Sequence, residues 1–597
     1  MSANTPIQSG MSLPTFSILL NGKEIDSAYA IQSIEVGKAV NKISFARICI
    51  YDGNPALQDF QISNKADFLL GVAIEIKAGY NLTEKSIFKG IITRHEIRIS
   101  EDTAALLIVE CRDKAIALTM GKKTATFSKK KDSEVFSTII GNYSGLTANI
   151  DATSYQHPKL IQYQTTDWDF LVMRAEVNGL FVTTEAATIT AKKPEMKSPA
   201  LTLSYGDTII NLQAYMDTNT QIASTQALAT QIGATTLTSA SGIATNPSIG
   251  GNITFSTLSS VIGSKTYTQQ TAAPLPQNPL QTWASAQLLK SNYSKIKGKV
   301  TFFGNASINP LDVIELKGVG NRFNGNILVG AIIHKIRAGI WQTEARLGLE
   351  FEWFADQTAN GNTTSANWIP AIHGIHSAFV KQIHQDPDGQ YRVLLNIPLF
   401  GSADDDVWAR IAHEYATNGQ GFFFMPEIND EVAVAFADNN PMFPIIVGAL
   451  YSKNNKPPTE PDAGNTTKQI TTKSKLNITF NDKDVILTLK TPAGNTVVLD
   501  DKQGQITITD KTGNSIKMTS SDISIDSKGD LKLNASGGIK LSATGNIEIS
   551  SSGGDVKVSG LNISNAANVK FAANGQAMAE LTSSGQTTVK GTLVMIN

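Results

Sequence analysis

Three histidines lie close together at positions 373, 376 and 384, and the first two have the His-x-x-His spacing of a zinc pair. A zinc pair needs both rings on one side of a helix. Here His373-Gly-Ile-His376 reads as a linker running into a strand, so surface histidines without metal are expected. Cys49 and Cys111 sit in alternating β patterns (ARICIYD and LIVECRD), which predicts buried free thiols rather than a disulfide. Lys129, Lys130 and Lys131 form a cationic run expected in a solvated loop. No Gly-Lys-Ser/Thr phosphate loop, nucleophile elbow or paired-cysteine metal motif occurs. The chemistry-bearing residues point away from an enzyme, and no cofactor and no metal is expected.

The elements that position these residues are mainly β. A chain of 597 residues holds several domains, and 41% apolar with 17% charged residues suits folded β-rich protein. The net charge of -1 argues against a polyanion partner, so no nucleic acid is expected. Residues 12–120 alternate apolar and polar positions, as in Phe45-Ala-Arg-Ile-Cys-Ile. A helix is predicted over 133–143. A second is predicted over 166–178, with Thr166 as N-cap and Gly179 closing its end. Residues 218–275, rich in Ala, Thr, Ser and Gln, read as an extended insertion or long loop. An internal echo links Ile74-Glu-Ile-Lys, with Gly90 sixteen residues after Ile74, to Ile314-Glu-Leu-Lys, with Gly330 at the same offset. It predicts two related β-barrels in tandem, and three copies would present six similar barrels in a ring.

The last quarter carries the strongest pattern. From Gln505 onward, pairs of the form apolar-x-apolar recur about every eight residues, with Gly504, Gly513, Gly529, Gly538, Gly545, Gly554 and Gly560 between them. Both side chains of a pair leave one face of a strand. The glycines are expected to supply positive φ where the chain turns. Two inward side chains per step give one chain too little core, whereas three chains around one axis fill the centre. The pattern therefore predicts a trimeric intertwined β-helix, or β-prism. Its core would be Ile506, Ile508, Ile516, Met518, Ile523, Ile525, Leu531, Leu533, Ile539, Leu541, Ile547, Ile549, Val556 and Val558. The bland alternatives are a single-chain solenoid and an antiparallel meander.

Residues 371–455 supply short strands, among them Tyr391-Arg-Val-Leu-Leu-Asn-Ile, Gly421-Phe-Phe-Phe-Met-Pro and Glu431-Val-Ala-Val-Ala-Phe, that fit an OB-fold barrel. Its acids, Asp405, Asp406, Asp430, Glu431 and Asp438, disfavour a nucleic-acid groove. The expected organisation is a hub with two related β-barrels and helical inserts at 1–370, an OB-fold domain at 371–455, a linker at 456–475, and a trimeric β-helix needle and tip at 476–597.

Asp388-Gly-Gln-Tyr-Arg-Val, Trp408-Ala-Arg-Ile-Ala, Phe424-Met-Pro-Glu-Ile-Asn-Asp-Glu-Val and Pro441-Met-Phe-Pro-Ile-Ile-Val-Gly resemble the OB-domain signature of the VgrG spike family. Upstream, Ile87-Phe-Lys-Gly-Ile-Ile, Tyr163-Gln-Thr-Thr-Asp-Trp-Asp-Phe-Leu and Arg174-Ala-Glu-Val-Asn-Gly-Leu resemble that family's hub. The resemblance follows the family's order of hub, barrel and needle. It implies the central spike of a contractile injection machine, either a type VI secretion system or an extracellular phage-tail-like particle, related to the hub and spike of contractile phage tails. It further implies a homotrimer seated on a hexameric inner tube among baseplate components, with a PAAR-repeat protein at the tip. The apolar Leu593, Val594, Met595 and Ile596 would be the platform for that cap. An effector cargo is compatible with this reading, and the target membrane would be punctured mechanically. No basic n-region followed by an apolar run is visible at the N-terminus, so synthesis and assembly in a bacterial cytoplasm are expected, with export inside the injection particle. The competing reading is a trimeric tail-fibre-like carbohydrate binder or depolymerase, which would want aromatics and paired carboxylates on the needle.

Overall fold

The computed structural model describes residue 5 and residues 13–101, 104–263, 266–357, 364–401 and 405–596. The chain divides into two compact units, Met1–Pro457 and Pro458–Asn597. In the first, a 13-stranded sheet wraps two separate apolar cores. One core is built on strands Ile31–Ala39, Phe45–Tyr51, Ala73–Tyr80, Thr83–Arg98 and Leu106–Arg112. The other is built on Lys297–Phe303, Val313–Lys317, Gly325–Arg337 and Ile340–Leu347. The long strand Gly325–Arg337 joins the halves, because it pairs with Ile340–Leu347 on one side and Ile31–Ala39 on the other.

The internal echo has a physical basis in close backbone approach. Gly90 lies opposite Ile74, and a Cβ built on it would stand 2.2 Å from the Arg112 carbonyl oxygen. A Cβ on Gly330 would stand 2.3 Å from the Gly348 carbonyl oxygen. Each half thus needs a residue without a side chain where its second long strand is crowded by a neighbouring backbone.

Helices Asp167–Val177 and Gln277–Tyr293 pack on each other. Helix Asp167–Val177 starts where Thr166 accepts from the Asp169 N–H at 3.0 Å. Gly179 follows at φ +68. It is buried nearly all round, including Arg174 and Glu176. Helix Gln277–Tyr293 escaped the sequence reading, because its buried face holds Gln287, Lys290, Ser291 and Asn292 as well as Leu280, Trp283 and Leu288. Residues 218–275 are not a long loop. Strand Thr225–Ala229 pairs with Thr238–Ser241 and Tyr267–Thr271, and this small sheet lies on helix Gln277–Tyr293. The alanines and threonines are there for proximity: Ala227, Ala229 and Ala240 are buried, and the Thr225 hydroxyl donates to the Ala284 carbonyl at 2.7 Å. The lysine run 129–131 ends strand Lys123–Lys131 rather than lying in a loop, and Lys130 Nζ donates to the Thr138 hydroxyl at 3.0 Å.

Five strands, His376–Gln382, Val393–Asn396, Val407–Ile411, Glu431–Phe436 and Pro444–Ala449, close into the OB barrel. Ile161 of the hub packs into its core. Gly421-Phe-Phe-Phe-Met-Pro is not a barrel strand; three successive phenylalanines cannot alternate between core and solvent, and Phe422, Phe423 and Phe424 are exposed beside the hairpin Ala416–Thr417/Gln420–Gly421. The His376 Nε2 lies 2.9 Å from the His373 carbonyl oxygen. Cys49 and Cys111 are free, and burial pushes the Cys111 thiol up to about 12.

A buried ionic network ties the segment that leads into the barrel, at Trp368, to the hub. Arg174 donates to Asp132 through Nε at 2.8 Å and Nη2 at 3.0 Å, and through Nη1 to the Trp368 carbonyl at 3.1 Å. His157 Nε2 lies 2.8 Å from Asp132, and Asn178 Nδ2 donates to the same carboxylate at 3.1 Å. Burial works to raise the Asp132 pKa, but Arg174 and His157 outweigh it and hold the carboxyl well below the usual range. Lys290 and Glu176 form a second buried pair at 2.6 Å, with the Asn41 amide at 2.9 Å and the Phe354 N–H at 2.6 Å on the same carboxylate.

Two outcomes are expected. Gly90→Ala and Gly330→Ala should each cost about 1–3 kcal/mol by overpacking, read as a lower melting temperature of the hub. Asp132→Asn should cost about 3–5 kcal/mol, because Arg174 is left buried without its counter-charge. Since the folded Asp132 pKa is depressed, its contribution is present above the unfolded value near ~4 and lost as pH falls below it. Acid unfolding of the native chain, followed by circular dichroism, should show this loss, and the Asn variant should show less of it.

Candidate functional site: the C-terminal apolar surface

The second unit, Pro458–Asn597, has a seven-stranded antiparallel sheet and then a different repeat. The sheet starts at Thr467, inside the stretch expected to be linker, since Lys468-Gln-Ile is too polar to register as an apolar pair. Its strands begin at Thr467, Asn477, Ile486, Thr496, Gln505, Ser515 and Ile523, nine or ten residues apart until the last. Each step is a strand and a reversing turn, and Gly494, Gly504 and Gly513 take positive φ there. From the second strand onward one face is apolar, while the first strand puts Lys468 opposite Phe480 on it. Across it Leu489 faces Val497, Val497 faces Ile508, Ile508 faces Ile516 and Ile516 faces Ile525; beside them Leu499 faces Ile506, Ile506 faces Met518 and Met518 faces Ile523.

From residue 527 the geometry changes. The backbone bends at Lys528, Ser536, Thr544, Ser552, Leu561, Asn568, Gln576, Ser584 and Thr592, eight residues apart except around Leu561. The straight pieces between bends carry Leu531 and Leu533, Ile539 and Leu541, Ile547 and Ile549, and Val556 and Val558. Among the described residues, no strand or backbone–backbone hydrogen bond is formed within 527–596. The glycines here differ from expectation: Gly529, Gly538, Gly545, Gly554 and Gly560 do not take positive φ, because these bends turn a corner without reversing the chain. Nor does the single chain crowd them, since a Cβ on Gly529, Gly538 or Gly545 meets nothing within 4 Å.

The sequence-predicted core residues therefore fall in two groups. Ile506, Ile508, Ile516, Met518, Ile523 and Ile525 are brought together on one sheet face, and the chain's own meander does the pairing. Leu531, Leu533, Ile539, Leu541, Ile547, Ile549, Val556 and Val558 are 54–71% exposed. Leu593, Val594, Met595 and Ile596 are exposed as a contiguous apolar run. Among the described residues, every buried apolar side chain belongs to the first unit. The meander itself was legible only as an alternative, because its nine-to-ten-residue step shades into the eight-residue one. No helix among the described residues is long and apolar enough to cross a membrane.

Residues 10–338 match the model of the Alg8 N-terminal domain, and residues 376–451 that of the type VI secretion system/phage-baseplate injector OB domain. The Pseudomonas aeruginosa PAO1 type VI secretion system spike protein VgrG4b is 28% identical over 146 residues, 23% of this chain and 16% of its own length. Spike protein VgrG5 of the same organism is 31% identical over 98 residues, 15% of this chain and 12% of its own length. The matched segments thus span less than a fifth of either relative. A structure of the Francisella PdpA–VgrG complex in a half-lidded state shares the fold with a TM-score of 0.52 at 9% identity, covering 84% of this chain and 88% of that one. Hub, OB barrel and apolar-faced C-terminal array make the chain similar to VgrG spike proteins. With its N-terminal model matching more than half of its length, the chain belongs to the Alg8 N-terminal domain family.

Amide hydrogen exchange separates the two C-terminal regions. Residues 467–526 should be protected by their own hairpins. Residues 527–596 should be protected only if other chains pair with them, and an isolated chain would exchange there at the rate of open backbone.

Proposed function

We propose that the protein is the homotrimeric central spike and hub of a contractile injection machine. The carrying observation is that Pro458–Asn597 buries no apolar side chain among the described residues, while its eight-residue array makes no backbone pairs of its own. Residues 527–596 thus have neither backbone pairing nor a buried apolar core within one chain. Three chains around a common axis supply both missing terms: neighbouring strands for the backbone and a shared centre for the apolar pairs. Glycines that neither φ nor space demands in one chain are then explained by the approach of the other two.

The remaining roles follow from this architecture. The two related halves of the hub, repeated three times, adapt a hexameric inner tube to the threefold needle, with baseplate components around it. Leu593, Val594, Met595 and Ile596 would seat a PAAR-type tip protein, and effectors would travel as separate cargo. The spike is made and assembled in the bacterial cytoplasm, leaves within the particle and pierces the target envelope by stiffness. It acts without a catalytic site.

The absolute mass of the full-length chain in solution tests the reading, and three chains are expected. Ile539→Asp with Ile547→Asp places six unpaired charges in the shared core and should abolish the trimer while leaving the hub's melting transition in place. A stable monomer of the unaltered chain at micromolar concentration would sink the proposal.

A further inference from the structure

The aromatic run beside the OB barrel plays no part in the spike reading. The chain leaves the barrel after Ala412, whose N–H donates to the Ile446 carbonyl at 2.9 Å. It returns at Met425, which packs against the barrel core. Between these anchors it forms an arm. Strands Ala416–Thr417 and Gln420–Gly421 pair with each other in a sheet separate from the barrel. The Phe422 N–H donates to the Tyr415 carbonyl at 2.9 Å, and a Cβ on Gly421 would stand 2.4 Å from that oxygen. The arm is thus braced by its own backbone, yet no residue of 414–424 is buried. Phe422, Phe423 and Phe424 stand bare in succession, Phe423 being 82% exposed. Three neighbouring rings held in water are costly, and apolar surface of this kind marks a contact.

The same barrel carries a matching seat. Ala378, Val432 and Val434 point into its core, so their strand neighbours point outward. There Ser377 faces Ala433, and Ala433 faces Gly448, so three adjacent strands leave an almost bare floor. One rung further on, Phe379 faces Glu431, and the Leu450 N–H donates to the Glu431 carbonyl at 2.9 Å. Phe379 and Leu450 are exposed and wall the floor on that side. Gly448 takes no positive φ, and a Cβ on it meets nothing within 4 Å among the described residues. Its own chain does not require glycine there; a ring lying flat on the floor does. The arm follows strand Val407–Ile411, whereas the seat spans the other sector of the barrel wall, on His376–Gln382, Glu431–Phe436 and Pro444–Ala449.

We propose that the arm of one chain docks on the seat of a second copy, each barrel giving an arm to one neighbour and a seat to the other. Docking of this kind presupposes the trimer of the proposed function, which is argued from other residues. A contact between two different surfaces of identical chains is heterologous, and such contacts close into a ring when the rotation permits. Covering the three rings removes roughly 400 Å² of apolar surface per contact. That is about half of one side of a standard interface. It is too little to gather free chains and enough for barrels already tethered, because a short tether holds them at an effective concentration on the order of millimolar. The chain runs on from Leu450 into the C-terminal unit, so three such units joined supply the tether. The arm sets the rotation of each barrel against the next.

Cross-linking of the full-length chain tests the docking. Cys49→Ala leaves one native thiol, the buried Cys111. In that background Phe423→Cys and Gly448→Cys are combined and treated with a short bis-maleimide under native conditions. Both positions are exposed, and the melting temperature should stay that of the unaltered chain. Chains linked to one another in twos and threes are expected on a denaturing gel, with little linking from either substitution alone. Adding Phe422→Ser and Phe424→Ser should lower the linked fraction about threefold or more, since the seated rings are gone. Linking undiminished by the serines would overturn the docking as mere proximity. A monomer band of altered mobility would do the same by placing the arm on its own seat. A protein with the mass of three chains that does not link would remove the arm contact and leave the trimer reading standing. A protein of monomer mass would sink the trimer reading and the docking with it. Without linking, binding to phosphatidylcholine–phosphatidylglycerol vesicles that the serine variant loses would assign the rings to a lipid surface instead.

Discussion

The rest of this structure depends on one constraint: a peptide backbone that leaves water must pair every N–H and C=O. Within one chain the C-terminal unit meets it only as far as Asp526. Through Asp526 the chain reverses after each strand and pairs with itself, at a cost of nine or ten residues per step. Beyond that point the step contracts to eight and the bends cease to reverse the chain, so self-pairing stops. The change of period and the loss of positive-φ glycines are two readings of the same event, the end of backbone pairing within the chain, which neighbouring chains take over in the proposed trimer.

The first unit solves a different problem. Helices Asp167–Val177 and Gln277–Tyr293 are covered on nearly every side, so their polar residues cannot face water. Arg174 and Glu176 are instead saturated by Asp132, by Lys290 and by backbone groups from distant segments. Such pairs add little net stability compared with apolar packing, but each is ruinous to break. They tie the linker at Trp368 and the segment at Phe354 to the hub, and so fix where the OB barrel begins relative to the sheet.

Legibility in the sequence followed how directly each element's partners are encoded locally. Helix Asp167–Val177 was readable from its cap and closing glycine. The barrel strands were readable from alternation. The echo of Gly90 in Gly330 was readable because close backbone approach admits only glycine. Helix Gln277–Tyr293 was not, since tertiary pairing of Gln287, Lys290 and Ser291 erased its apolar stripe. Thr225–Ala229 was missed because small side chains that allow sheet and helix to touch look like loop composition. The exposed Phe422, Phe423 and Phe424 were misread as core strand because apolarity alone does not tell inside from outside.

The distribution of charge follows the same division. The hub holds two fully buried ion pairs among its described residues, Arg174–Asp132 and Lys290–Glu176, beside exposed ones such as Lys197–Glu195. In the C-terminal unit they are exposed and local, as at Lys468–Asp482, Lys532–Asp530 and Lys557–Asp555. Exposed pairs contribute at most about 1 kcal/mol each, so they do not hold that unit together. They place both signs on its exposed surface, and cohesion is left to apolar pairs and backbone ladders. In the proposed trimer those terms repeat at every step along the axis. A needle built this way has no single bond whose loss frees an end, which is the property that driving it through an envelope requires.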